Sequence, residues 1–514
     1  MDHDKEFFLK ALLGRSEVYD LIGKNTEAMR DCKKGLDIAQ ENGDKKFIAD
    51  WLIHISGLYG TISNYREMLR SAQRSLSISK MINDLKGIAE CYDNIGFAQE
   101  GFGDYRKALV FFNKSLKIWE SIGDRPGRGT TYSNIGFMHY RLGDYRNALE
   151  YYRRSLKIQV KLGNRLSQST SLGNIGLIHD ELGDLHKALE FHKRSLKIGE
   201  AVGYRHGQGI SLNNIAILSY RLGEHQKAIE YSSKSLKIRE EIGDLKGQGT
   251  TLHNIAYYYD RLGLSRKTLD HYVKSLKIFE GISDRPGQGI ILNNIGTVYY
   301  RLGDYRRALS YLMRSLKIRK ETGDRRGQAI TLNNMGTVYL ELRDFKKAQQ
   351  NLEKAGRAIL KIKDKEIRRR IAVSLGELAF NEAKEKGTER ARIYAEEALR
   401  LAEVLKSKAG RAEALLLQAR IDLAKGKGPR AETRFQEAIS IFEELKLPFD
   451  IARVYFYYAE SLRFRAPLGG SGASLQDFQT KGREYLQKAK EIFTKLGAKG
   501  WLSKIRDFPP NRIK

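Results

Sequence analysis

Seven asparagines recur at one spacing in this chain: Asn94, Asn134, Asn174, Asn214, Asn254, Asn294 and Asn334, each 40 residues after the last. A carboxamide carries both a donor and an acceptor, so a row of them can pair with peptide groups without reading side chains. Each such bond contributes about 1 kcal/mol net. Other site chemistry is missing from the sequence. It contains no Gly-x4-Gly-Lys-Ser/Thr loop, no His-Glu-x-x-His and no Gly-x-Ser-x-Gly elbow. The ten histidines are dispersed, and His179, His186 and His192 lack the i,i+4 spacing of two ligands on one helix face. The two cysteines, Cys32 and Cys91, form no Cys-x-x-Cys pair. That excludes a disulfide framework and a thiolate zinc site, and it fits a reducing compartment. The expectation is a binding protein with no catalytic residue, no metal and no cofactor.

The elements that position the asparagines follow from the same period. Ser-Leu-Lys-Ile begins at Ser115, Ser155, Ser195, Ser235, Ser275 and Ser315, and Gly103, Gly143, Gly183, Gly223, Gly263 and Gly303 keep that step. Unit 284–323 shows why each repeat is two helices. Asp284 caps the first, Pro286 falls in its first turn, and Leu292, Ile295 and Tyr299 share one face. Gly303 stops that helix and Asp304 caps the next, which carries Ala308, Leu309, Leu312 and Leu316. Neither helix can bury its stripe alone, so successive units must stack.

Ile295-Gly296, Tyr299, Gly303-Asp304-Tyr305, Ala308, Leu312 and Ser315-Leu316 resemble the tetratricopeptide signature of small and large packing residues. That repeat is usually about 34 residues long. The longer form here resembles the repeat region of Pins-type adaptors and of prokaryotic regulators with long arrays. The resemblance implies an all-α, right-handed superhelical solenoid of antiparallel helix pairs, with roughly twelve repeats. Three stretches are expected: a regular array over 1–363, divergent units over 364–497 with a flexible insert near 466–476, and a capping segment over 498–514. The G-protein-binding motifs of the Pins type do not follow the repeats, and no kinase, protease or DNA-binding module fits in 364–514.

The family also implies where a ligand would lie. Its first helices line a concave surface, and the seven asparagines fall at the position that bonds the main chain of an extended peptide. An alternative stays open, in which each carboxamide bonds the neighbouring repeat and sets the superhelical twist. Specificity would come from positions that vary between units. One reads Arg141, Glu181, Arg221, Arg261, Arg301 and Glu341; the other reads Phe97, Phe137, Leu177, Ile217, Tyr257, Thr297 and Thr337. Such a groove is apolar early and basic around 221–301, which suits a protein or peptide with acidic and apolar side chains.

The net charge of +29 supports acidic partners in general. Paired cations repeat on the second helices, from Lys114 and Lys117 through Arg314 and Lys317. They form a stripe that could track a phosphate backbone or an anionic membrane, or serve only solubility. The N-terminus lacks the order of a signal peptide and no uncharged apolar run is long enough to span a bilayer, so the expected location is cytoplasmic. The functional expectation is a non-catalytic interaction scaffold or regulator. The alternatives are a nucleic-acid-binding or anionic-surface-binding solenoid and a structural subunit of a larger enzyme complex.

Overall fold

The structure, a computed structural model, describes residues 3–21, 24–360, 362, 364–382, 385–463 and 475–507. The described residues form 25 α-helices and no strand. They divide into two compact units, Met1–Glu224 and His225–Lys514.

The first unit holds α1 (His3–Leu21), α2 (Asn25–Glu41), α3 (Lys45–Thr61), α4 (Tyr65–Met81), α5 (Leu85–Gly101), α6 (Tyr105–Ser121), α7 (Arg125–Arg141), α8 (Tyr145–Lys161), α9 (Arg165–Glu181), α10 (Leu185–Ala201) and α11 (Arg205–Arg221). The second holds α12 (His225–Glu241), α13 (Leu245–Arg261), α14 (Ser265–Gly281), α15 (Arg285–Leu302), α16 (Tyr305–Glu321), α17 (Arg325–Glu341) and α18 (Phe345–Ile359). It continues with α19 (Lys365–Glu382), α20 (Glu385–Val404), α21 (Lys408–Ala424), α22 (Gly428–Glu444), α23 (Pro448–Arg463), α24 (Leu475–Lys495) and α25 (Lys499–Arg506). Within each unit the helices stand as consecutive antiparallel pairs, an all-α solenoid of stacked hairpins. The insert expected near 466–476 lies mostly outside the described residues, as do 508–514 of the expected capping segment.

The local signals act as read. Asp284 accepts from the Gly287 amide and Asp304 from the Arg307 amide, each capping a helix. Gly303 turns the chain between them in the left-handed region, at φ +78°. At the equivalent turn 40 residues on, Arg343 adopts φ +57°, a conformation that costs a side-chain-bearing residue about 1 kcal/mol or more.

Two recurring hydrogen bonds set the stack. The serine that opens Ser-Leu-Lys-Ile donates across its own hairpin to a carbonyl 26 residues earlier: Ser155 to Gly129, Ser275 to Gly249 and Ser315 to Gly289, all at 2.7 Å. A glutamine on the next first helix reaches back to the end of the preceding second helix. Gln168 donates to the Gln159 carbonyl, Gln208 to Gly199, Gln288 to Phe279 and Gln328 to Arg319, at 2.9–3.0 Å. Small residues let the helices of a hairpin approach. Gly296 faces Leu312 and Gly176 faces His192, both large side chains that are fully buried.

The last hairpin closes around aromatics. Trp501 of α25 is buried among Phe449 and Phe456 of α23 and Phe493 of α24, edge-on to the first two and stacked on the third.

Candidate functional site

The seven asparagines sit half-buried at one register position of α5, α7, α9, α11, α13, α15 and α17. Three of them reach back 41 residues to the previous first helix. Asn94 Nδ2 donates to the Ile53 carbonyl at 3.2 Å, and Asn334 Nδ2 donates to Asn293 Oδ1 at 3.0 Å. Asn294 Nδ2 lies 3.0 Å from His253 Nε2. Burial lowers His253 to about 4, so its ring is neutral and can accept that proton. In these three the carboxamide is engaged between repeats. On α7, α9 and α11 the pattern breaks. Asn134, Asn174 and Asn214 make no side-chain hydrogen bond among the described residues, and the Asn134 Nδ2 is buried without a partner. No side-chain acceptor is free 41 positions back: Asp93 already accepts from Trp119 and Thr131, Ser133 is short, and Gly173 has no side chain.

The variable charged positions answer the same neighbour. Arg221 pairs with Asp180 and Arg301 with Asp260, each 41 residues back. Where the position holds glutamate, the residue 41 back is tyrosine: Tyr140 donates to Glu181 at 3.3 Å and Tyr300 to Glu341 at 3.4 Å. Arg141 bonds the Tyr105 hydroxyl and lies over its ring, 4.5 Å from the centroid, while Arg261 lies 5.7 Å over Tyr257. Reading single columns of the repeat missed Asp180 and Asp260. The signal was present as charge complementarity between two columns offset by 41. Two of the arginines expected to make the groove basic, Arg221 and Arg301, are neutralised by it.

The apolar column stays partly open. Phe97 and Tyr257 are each 36% exposed, and Phe137, Leu177 and Ile217 are half-buried. Phe97 stands edge-on to Phe112 at 5.2 Å, which holds its ring at the surface. Phe97, Phe137, Leu177 and Ile217 thus lie on α5, α7, α9 and α11, three residues after Asn94, Asn134, Asn174 and Asn214.

In the second unit the first-helix face is covered by the chain itself. Glu341, at the end of α17, is only 12% exposed; it pairs with Lys504 of α25 and accepts from Tyr457 of α23 at 3.0 Å. Gly303 and Gly500 meet backbone to backbone, an approach that leaves no space for a Cβ on either. Burial would raise the Glu341 carboxyl, but Lys504, Arg453 and the Tyr457 hydroxyl outweigh it and hold it below its ordinary value. Burial pushes the Tyr457 phenol well above its own, so it remains a donor.

The repeat is recognised in sequence as well as in geometry. The family model described as tetratricopeptide repeat matches residues 127–201, 208–281 and 287–357. The chain is a tetratricopeptide-repeat protein. A second model, that of anaphase-promoting complex subunit 5, matches residues 1–59. No curated protein sequence matches the chain. Among solved structures, the chain is similar to the apo form of the quorum sensor NprR from B. thuringiensis, at 16% identity and a TM-score of 0.47, over 71% of this chain and 99% of that one. Aspartyl phosphate phosphatase F from Bacillus subtilis is similar at 14% identity and 0.46, over 69% and 94%. Yeast Tom70 is similar at 12% identity and 0.40, over 98% and 100%.

The second helices of the tetratricopeptide units carry the basic pairs, all exposed. The first member of each pair is largely compensated: Arg154 pairs with Glu150, Lys234 with Glu230, Lys274 with Asp270 and Arg314 with Glu280. The second member is not. Lys117, Lys157 and Lys197 in the first unit, and Lys237, Lys277 and Lys317 in the second, make no ion pair among the described residues. Burial raises the Cys32 and Cys91 thiols to about 11, so neither is a thiolate at neutral pH. Among the described residues, no three His, Cys, Asp or Glu side chains converge where a metal ion could sit. No described helix is long and apolar enough to cross a membrane.

Proposed function

We propose that this tetratricopeptide-repeat protein is a non-catalytic interaction scaffold or regulator that holds an extended peptide or partner segment along the first-helix face of its first unit. The observation that carries the reading is the run of Asn134, Asn174 and Asn214, three successive carboxamides without protein partners. They lie beside a half-exposed column of Phe97, Phe137, Leu177 and Ile217. Carboxamides at this spacing bond a main chain, and the apolar column takes aliphatic or aromatic anchors. Arg141, on α7 with Asn134, favours an acidic side chain close by.

The test is capture of partners from the native source by the intact chain, followed by affinity measurement with the triple variant Asn134→Ala, Asn174→Ala, Asn214→Ala. These side chains hold nothing in the fold, so the melting temperature is expected to stay while affinity falls about a hundredfold, from about 1 kcal/mol per lost bond. Unchanged affinity overturns the reading.

A second reading is favoured by one observation, the six exposed lysines from Lys117 to Lys317 that lack ion-pair partners. It assigns the second-helix face to a phosphate backbone or an anionic surface. Retention on heparin or RNA that falls steeply with salt supports it, and passage through at moderate salt removes it.

A further inference from the structure

Between α16 and α18 the second unit opens a groove of about 720 Å³, on the side that carries the basic pairs. Leu316, Leu332 and Met335 form its floor, and Met313 stands at its edge, 58% exposed.

The groove exists because one repeat departs from the others. One unit earlier the corresponding floor, Leu276, Leu292 and Ile295, is packed under Tyr311 and Ile318. The same covering pair, an aromatic ring and an isoleucine, recurs as Phe111 with Ile118, Tyr151 with Ile158, Phe191 with Ile198 and Tyr231 with Ile238. In the first unit the Tyr151 ring lies 6.0 Å from that of Tyr132, the residue that corresponds to Leu332. On α18 the two covering positions hold Asn351 and Ala358. Asn351 turns its Nδ2 back to the Lys347 carbonyl of its own helix, at 2.8 Å. Two large apolar side chains are therefore missing where the repeat elsewhere supplies them, and a slot stays open above an apolar floor.

The rim of the slot is cationic. Lys317 and Lys320 stand on α16, Lys354 and Arg357 on α18, all exposed, and no carboxylate lines the groove. Arg357 reaches Glu353 only at 4.0 Å, and the three lysines make no ion pair among the described residues. The aliphatic and thioether floor offers no hydrogen bond to a base edge and no ring on which a base could stack. A recessed slot also admits side chains better than the flat surface of a bilayer.

We propose that this groove docks an acidic protein segment that inserts an aromatic and an aliphatic side chain over Leu316, Leu332 and Met335. The two anchors take the places that Tyr311 and Ile318 hold one unit earlier. Carboxylates beside them meet Lys317, Lys320, Lys354 and Arg357. None of the seven asparagines takes part, so this surface and the peptide-binding face of the first unit stand or fall separately.

The test selects a display library of random peptides on the intact chain and counter-selects it on the double variant Asn351→Tyr, Ala358→Ile. That variant restores the covering pair of the repeat, so its melting temperature is expected to stay or rise. Support comes from peptides that hold the intact chain, are lost on the filled variant, and share acidic residues around an aromatic and an aliphatic one. The tightest of them is then titrated against Lys317→Glu, Lys354→Glu, which leaves the floor untouched. Binding is expected to weaken at least about tenfold. If the filled variant does not fold, this charge-reversed pair serves for the counter-selection instead. A selected pool that the counter-selection does not thin, or one without acidic residues, overturns the proposal. Binding of polyuridylate or of phosphatidylserine vesicles that disappears on filling, with no peptide affected, overturns it as well.

Discussion

Arg301 pairs with Asp260, a residue 41 positions earlier on the preceding first helix, and both side chains are largely buried. Arg221 and Asp180 repeat the arrangement in the first unit. The charged column that varies from repeat to repeat is therefore matched to the unit before it. Such matching fixes which repeat can follow which, because a wrong neighbour would bury an unpaired charge.

The pair can be measured by a double-mutant cycle. Asp260→Asn leaves the Arg301 guanidinium without its counter-charge and is expected to destabilise the second unit by about 3 kcal/mol. Arg301→Met alone strands Asp260 at similar cost, and the double variant recovers at least half of the summed loss. Additive losses in denaturant unfolding would show that the two residues do not act together.

Glycine substitutions should split by position. A Cβ at Gly296 would stand 2.8 Å from Leu312 Cγ and 3.1 Å from the Ala308 carbonyl, so Gly296→Ala is expected to cost about 1–3 kcal/mol. At Gly173 the nearest atom is Ser195 Oγ at 3.5 Å, ordinary contact, and Gly173→Ala is expected to stabilise by up to about 1 kcal/mol. Thermal melts of the two variants should move in opposite directions.

His192 makes stability depend on pH. It is 1% exposed, in the place that Phe112 fills two units earlier, and burial lowers its pKa to about 4. The unfolded histidine titrates near about 6.5, so between those values the unfolded state binds the extra proton. Stability is full above about pH 6.5 and falls by about 1.4 kcal/mol per unit as pH drops toward 4. His192→Phe is expected to reduce that slope. Identical pH profiles for the two proteins would rule this histidine out as its source.

Glu341 and Lys504 dock α25 against the end of α17. With its folded pKa held below the ordinary carboxylate value, Glu341 contributes fully above about pH 5. That contribution is lost as acid protonates it below about pH 4. Glu341→Gln is expected to weaken the docking by about 3 kcal/mol above about pH 5 and to make little difference where acid has already protonated Glu341. Amide hydrogen exchange over 499–506 reports it: faster exchange in the variant is expected, and unchanged protection there would mean that Trp501 alone holds the helix.

Much of the architecture was legible because its causes are local and repeated. Asp284, Pro286, Gly303 and Asp304 mark helix ends by capping and turn chemistry that act within a few residues, and the 40-residue period copies them along the chain. The asparagine column was legible as a column. Its division was not, because whether a carboxamide is engaged depends on how the previous first helix packs against it: Asn94 reaches the Ile53 main-chain carbonyl, while Asn214 bonds no group among the described residues.

The sequence by itself determined the helical hairpins, the caps that bound them, and the small and large residues that let each pair approach. Tertiary structure alone decided which polar groups remain for a ligand. Lys504 meets Glu341 across 163 residues, and Tyr457 meets it across 116. No periodic pattern links those positions, so the covering of the first-helix face by α23 and α25 emerges only when the stack brings them together.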